Sequence, residues 1–276
     1  MELKAGITRF VPPIALDGWR RARRRYTRRP PSWEFVGHDW IDGEDPGWDA
    51  AGVVEEYRHK LPAFRAAIAA PAPIGVPTEA VSATTASAYH QNVILEYAYA
   101  VARARGSRTK LSILDWGGGF GYASFVVSEL FPDLEVEFHV RDVPRVVDAA
   151  RALVPEVTFW DSDECLTRRF DLVTSSSSLQ YARDWKATLS QLGRAGAFLF
   201  VSRLPVTPTA PTFATRQRAY GTSYIGWVFN RDELIAQADA AELEFVREFL
   251  EGFSAVIRDA PGSNEHRGFL FAGRRP

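Results

Sequence analysis

The sequence predicts an α/β fold with a mostly parallel sheet flanked by helices, and three stretches carry that expectation. Residues 111–122, LSILDWGGGFGY, run from an apolar strand through Asp115 into Gly117, Gly118, Gly119 and Gly121, and ASFVVSELF continues as an apolar helix. Residues 135–140, EVEFHV, form a second strand ending at Arg141 and Asp142, after which Pro144 opens the helix PRVVDAARAL at its first turn. Residues 170–174, FDLVT, begin a further strand that leads into four serines, 175–178, then Leu179, Gln180 and Tyr181. Strands alternating with helices in this way are the pattern of a parallel sheet.

A strand end facing the next helix N-terminus offers backbone N–H groups to a ligand, and glycines let that ligand approach without Cβ clashes. Spacing selects the ligand. A dinucleotide fingerprint requires G-x-G-x-x-G; here Tyr122 stands in the place of the third glycine and Gly121 falls one residue early. The match is to D-x-G-x-G-x-G, in which the acid before the turn receives the ammonium of an amino-acid-like ligand such as S-adenosylmethionine (SAM) and repels a pyrophosphate. The alternative is a tight turn in another kind of α/β protein. Asp142, at the tip of the second strand, can accept both hydroxyls of an adenosine ribose. Residues 157–160 make a short third strand followed by Asp161 and Ser162, either an edge for an adenine amino group or ordinary loop residues, with Trp160 available to stack. Small residues after the fourth strand leave room for the methionine part of the cofactor and the acceptor.

The order LDWGGGFG, HVRDVP, FWDSD, FDLVTSSSSLQY, AFLFVSRLP resembles the class I SAM-dependent methyltransferases over residues 111–276. WEFVGHDW, SLQY and PTFATRQRAYGTSYIGWVFN further resemble a poorly characterised bacterial methyltransferase group associated with surface-polysaccharide genes. The resemblance implies a Rossmann-like fold with a mostly parallel seven-stranded sheet and SAM as cofactor. It places Asp115, Gly117, Gly119, Asp142, Asp161 and Ser162 along the SAM pocket, with Gly121, Val143 and Ser175 beside them.

With 276 residues, 46% of them hydrophobic, the chain can fill one large domain plus an appendage. The expected division is an N-terminal extension, 1–80, and a SAM-binding domain, 81–276, with an acceptor insertion around 204–228. No run approaches the length of a membrane span, the start lacks a signal peptide's apolar core, and the single cysteine, Cys165, cannot form an internal disulfide. A cytoplasmic protein without a cysteine-based metal site is expected. Net charge is −1, but residues 20–29 hold seven arginines and no acid, which leaves −8 for the rest. This basic arm reads either as contact with an anionic surface, such as the membrane periphery, or as a solvated segment paired with the acids at 39–49. Nothing suggests sequence-specific nucleic-acid binding, and oligomeric state is not legible.

Residues 33–48 hold three tryptophans among glycines, prolines and acids: irregular, yet too aromatic for a free linker, so either packed structure or a lid over the acceptor. Residues 51–69 read as an amphipathic helix, Pro71, Pro73 and Pro77 as a loop, and Thr84 or Thr85 as the cap of a helix reaching about residue 105. That helix puts His90 and Gln91 at a pocket rim, with a surface or structural histidine as the alternative. A helix at 184–192 and a strand at 197–203 follow the fourth strand. Residues 204–224 read as a long proline- and threonine-rich excursion, either acceptor-binding or a cover, and Asn230 caps a helix to about residue 240. Strands near 243–250 and 268–272 end the chain.

For transfer to oxygen, a base must take the acceptor's proton. Plant-type O-methyltransferases carry a histidine shortly after the fourth strand, whereas this chain reads SLQYARDW there. Tyr181 and His90 are the chosen base candidates, ahead of Asp184 and Tyr220; Gln180, Gln217, Tyr220 and Tyr224 are the substrate-side candidates. A non-catalytic SAM-fold scaffold and a nicotinamide enzyme are the competing readings.

Overall fold

The computed structural model describes residues 31–43, 45–75 and 86–274. The chain divides into two units, Met1–Ser32 and Trp33–Pro276. The arginine-rich arm of the first lies outside the described residues, as do Glu44, Pro77, Thr84 and Thr85. The strands and helices of the described residues belong to the second unit.

In chain order the elements begin with strand β1 (Trp33–Gly37) and helices α1 (Ala51–Ala69) and α2 (Ala88–Arg105). Then come β2 (Lys110–Trp116), α3 (Tyr122–Leu130), β3 (Glu135–Arg141), α4 (Pro144–Arg151), β4 (Thr158–Trp160) and β5 (Phe170–Ser176). The remainder is α5 (Trp185–Ala195), β6 (Gly196–Thr207), β7 (Phe213–Ala219), β8 (Thr222–Asn230), α6 (Arg231–Ala240), β9 (Leu243–Leu250) and β10 (Glu265–Gly273).

Strands β4, β3, β2, β5 and β6 lie side by side and parallel, and β10 then pairs antiparallel between β6 and β9. This is a Rossmann-like arrangement, a parallel run of strands extended by antiparallel ones. Period-two alternation explains why the sheet takes helices on both faces: Leu111 and Ile113 of β2 enter the core shared with α1 to α4, while Leu114 and Trp116 enter the core shared with α5 and α6. Helix α1 covers its side through Val53, Val54, Tyr57, Leu61, Phe64 and Ile68, one stripe at helical spacing.

Two segments differ from the sequence expectation. The 204–224 excursion is not a loop: β6 continues to Thr207, and β7 and β8 form an antiparallel hairpin that joins the sheet through the pairing of Val206 and Thr207 with Phe229 and Asn230. Nor is 33–48 irregular throughout, since β1 pairs antiparallel with β7 and Glu34 bridges to Arg218 at 2.6 Å and Arg216 at 3.7 Å. The predicted seven strands are therefore extended to ten among the described residues. The reason lies in β7, where Thr215 and Gln217 are buried while Arg216 and Arg218 stand further out. The alternation is present, but past the buried Phe213 its inward residues are polar.

Helix ends follow local chemistry. Ser87, rather than Thr84 or Thr85, caps α2 by accepting the N–H of His90 at 3.3 Å. Asn230 Oδ1 accepts the N–H groups of Asp232 and Glu233, both at 3.0 Å, where the sequence put a cap.

Candidate functional site

The carboxyl ends of β2, β3 and β5 open onto two adjoining cavities that share Tyr57, Gly117 and Ser176. Ligands of open α/β sheets bind at this end of the strands. The first cavity, 790 Å³ including its mouth, lies between the glycine turn and helices α1 to α3, and its walls include Asp115, Gly119, His90, Tyr97 and Arg203. The second, 610 Å³ on the same measure, is lined by Arg141, Asp142, Val143, Ser177, Ser178 and Tyr181, with Trp48 from the segment before α1.

The turn between β2 and α3 is internally bonded. Gly117 has φ +77°, and any Cβ there would run into Ser178. Its N–H donates to the Arg141 carbonyl at 2.7 Å; the Gly119 N–H donates to Asp142 Oδ2 at 2.7 Å, and the Gly121 N–H to the Gly118 carbonyl at 3.0 Å. The sequence led us to expect these N–H groups open to a ligand, and at these three positions they are not. The other Asp142 oxygen accepts the Val143 N–H at 2.7 Å. Burial raises the pKa of Asp142 above the ordinary carboxylate value, against the pull of those backbone bonds. Burial also pushes Asp115 up to about 7; the hydroxyl of Thr174, donating to its Oδ1 at 2.7 Å, opposes the rise, and the charge of Asp142 adds to it.

Of the expected cofactor residues, Asp115, Gly117 and Gly119 line the first cavity, and Asp142 and Val143 line the second together with Gly117. The other four lie elsewhere. A Cβ on Gly121 would face Val157, Phe159 and Val140, so this glycine seats α3 on the sheet. Asp161 lies 4.0 Å from Arg151 on the surface, and the Ser162 carbonyl accepts from Cys165 Sγ. Ser175 is buried beside the cavities without lining either. Trp160, available to stack on the adenine in the sequence, lines neither cavity; its Nε1 donates to His139 Nδ1 at 3.1 Å.

On the acceptor side, His90 lines the first cavity and Tyr181 the second. His90 Nδ1 is 2.7 Å from Ser87 Oγ, and the Tyr181 hydroxyl donates to Gln217 Oε1 at 2.8 Å. Gln217 and Gln180 are buried; Gln180 Nε2 donates to Ser177 Oγ at 3.1 Å. Tyr220 and Tyr224 pack on Trp48, with ring centroids 6.0 and 4.5 Å away. These four residues back the walls and do not line them. Asp184 caps α5 by accepting the Ala187 N–H at 3.0 Å. Gln91 is exposed.

Trp48, Tyr57, Tyr97 and Arg203 are wall residues that the sequence reading missed. Arg203 lies within β6, one residue past its last parallel pairing with β5 at Ser202, and its place at the end of the strand expected over 197–203 was the one signal available. Its backbone N–H donates to Glu251 Oε1 at 2.6 Å and its Nε to the Tyr89 hydroxyl at 3.2 Å. Behind it Glu96 and Glu251 form a buried pair: burial, followed by the neighbouring carboxyl, pushes Glu96 up to about 10, and burial pushes Glu251 up to about 7.

No protein-family model matches the chain, and no curated protein matches it. Among solved structures it is similar to a pericyclic reaction enzyme, at 17% identity and TM-score 0.44 over 63% of this chain and 47% of that one. The chain thus spans less than half the length of that enzyme. It is also similar to the N-terminal domain of EvdMO1 with SAH bound (16% identity, 79% of this chain, 97% of that one, TM-score 0.48). A third is the CcbJ methyltransferase from Streptomyces caelestis (18% identity, 66% of this chain, 89% of that one, TM-score 0.44). The fold itself stands on its strand order and register.

Proposed function

We propose that the chain is a SAM-dependent methyltransferase that methylates a small-molecule or saccharide-like acceptor at oxygen. One observation carries the cofactor: two buried carboxyls, Asp115 and Asp142, bracket a glycine turn whose N–H groups at Gly117, Gly119 and Gly121 are bonded inward. A pyrophosphate laid there would meet two acids and lose the N–H cradle that dinucleotide folds supply. An amino-acid ammonium at Asp115 and ribose hydroxyls at Asp142 would each meet an acceptor. The residues therefore fit SAM, with Val143 beside the nucleoside end. SAM, when bound, supplies an electrophilic methyl group, and the protein's main task is to position the acceptor and receive its proton.

His90 suits the proton-receiving role better than Tyr181, because it shares its cavity with Asp115 while the Tyr181 hydroxyl donates to Gln217. In the tautomer whose Nδ1–H donates to Ser87 Oγ, 2.7 Å away, His90 Nε2 is the nitrogen that would take the acceptor's proton. The link to surface polysaccharides rests on the sequence resemblance, and contact of the arginine arm with an anionic surface on its charge.

Calorimetric titration with S-adenosylhomocysteine (SAH), NAD and NADP tests the cofactor: SAH alone is expected to bind, and binding of a dinucleotide but not SAH overturns the reading. Asp142→Ala should weaken SAH more than roughly tenfold, the size expected for lost hydrogen bonds to a charged group. Unchanged affinity in a folded variant would remove Asp142 from the site. His90→Ala should lower turnover by about a hundredfold or more with SAH affinity unchanged. The acceptor is sought by mass spectrometry of extracts incubated with the protein and methyl-labelled SAM.

A further inference from the structure

In the segment joining β1 to α1, Asp45 and the short helical turn Gly47–Asp49 are tied to the fold by three of their side chains. Asp45 accepts a hydrogen bond from Ser223 of β8. Trp48 stacks on Tyr224 at 4.5 Å and meets Tyr181 edge-on at 5.0 Å. Asp49 Oδ1 accepts the backbone N–H of Arg145 at 3.0 Å, and its carbonyl accepts Arg145 Nε, also at 3.0 Å.

The third tie is the informative one. Helix α4 starts at Pro144, which has no N–H, behind Val143, whose side chain cannot cap. Asp49 therefore supplies from a distant segment the cap that α4 lacks, with its negative charge at the positive end of the helix. That helix end directly follows Asp142, whose carboxyl feels the charge of Asp49. Trp48 lines the cavity of Asp142, Val143 and Tyr181, and its indole N–H is buried with no hydrogen-bond partner among the described residues. A buried donor without a partner beside a cavity calls for an acceptor from outside the chain.

We propose that the Gly47–Asp49 turn is a strap over the nucleoside end of the cofactor, with Trp48 as its covering ring and the Asp49–Arg145 contact as its fastening. The proposal rests on the SAM reading and adds to it the part of the chain that encloses the ligand and controls its exit. The fastening is made of a few hydrogen bonds and ring contacts, each individually weak, so it can open without unfolding the domain.

The test compares SAH with 5′-methylthioadenosine, which keeps the nucleoside end and lacks the amino acid, by calorimetry and stopped-flow on the full chain. Trp48→Ala should weaken both ligands by the same factor, roughly tenfold, mainly through faster dissociation. Asp49→Ala should speed SAH release several-fold, and Asp49→Asn, which keeps the accepting oxygen, should restore most of the wild-type rate. In the wild type, SAH should slow hydrogen exchange of the amides at 47–50. Wild-type release rates in a folded Trp48→Ala variant, or no added protection at 47–50, would overturn the strap. Should Trp48→Ala unfold, the exchange measurement decides alone. If Asp142→Ala loses SAH while Trp48→Ala does not, the strap fails and the cofactor reading stands; if the wild type binds neither ligand, both fail.

Discussion

Gly117 joins the residue scale to the site most directly, because one missing side chain permits two things at once. Its φ of +77° is a left-handed conformation that costs an L-residue about 1–2 kcal/mol, and the space a Cβ would take is occupied by Ser178. Gly117→Ala should therefore destabilise the protein by at least about 1–2 kcal/mol. Urea denaturation followed by circular dichroism measures this, and an unchanged midpoint would show that the turn adapts. Asp115, Gly117 and Asp142 were legible in the sequence because each sits where a strand ends, and strand, turn and helix are covalently continuous. Trp48, Tyr57 and Arg203 were not, because they reach the same cavities from segments that share no local motif with the glycine turn.

At the scale of elements, capping and patterning had different fates. Asn230 was readable because a cap acts within three residues of itself; Asn230→Ala frees the N–H groups of Asp232 and Glu233 and should cost about 1 kcal/mol. The same variant should bind SAH as the wild type does, and a loss of affinity would mean that α6 reaches the site. Strand β7 was unreadable for the opposite reason. Its inward residues Thr215 and Gln217 are satisfied by Gly226 and Tyr181, partners on β8 and after β5. Past Phe213 that face is polar and has no hydrophobic signature until those partners are known, so FATRQRA read as part of the 204–224 excursion. Helix α1 shows the converse: its apolar stripe was strong enough to be read through Pro62, which stands on the exposed side.

For the whole molecule, the buried carboxyls make stability depend on pH in a definite direction. Burial pushes Asp115 up to about 7 and raises the Glu96–Glu251 pair well above the ordinary carboxylate range, against unfolded values of 3.8 for the aspartate and 4.5 for the glutamates. The folded state thus holds more protons over that interval, and stability falls as pH rises through it. His266, which burial and then Arg203 hold down at about 3, works against this only below its unfolded value of 6.5. The urea midpoint should accordingly be higher at pH ~6.5 than at pH ~8.5, and Glu96→Gln should shrink the drop. Each differential proton is worth about 1.4 kcal/mol per pH unit, so a flat wild-type profile would contradict the buried pair. By itself the sequence determined the strand and helix order, the glycine turn and the two acids at the strand tips, because periodicity, capping and turn chemistry act between near neighbours along the chain. Only the tertiary structure decided that β1, β7 and β8 extend the sheet, that Glu96 and Glu251 meet behind Arg203, and that Asp49 caps a helix nearly a hundred residues away. Those pairings join groups far apart in sequence, and their free energy comes from desolvation and hydrogen bonding that exist only once the chain has closed around them.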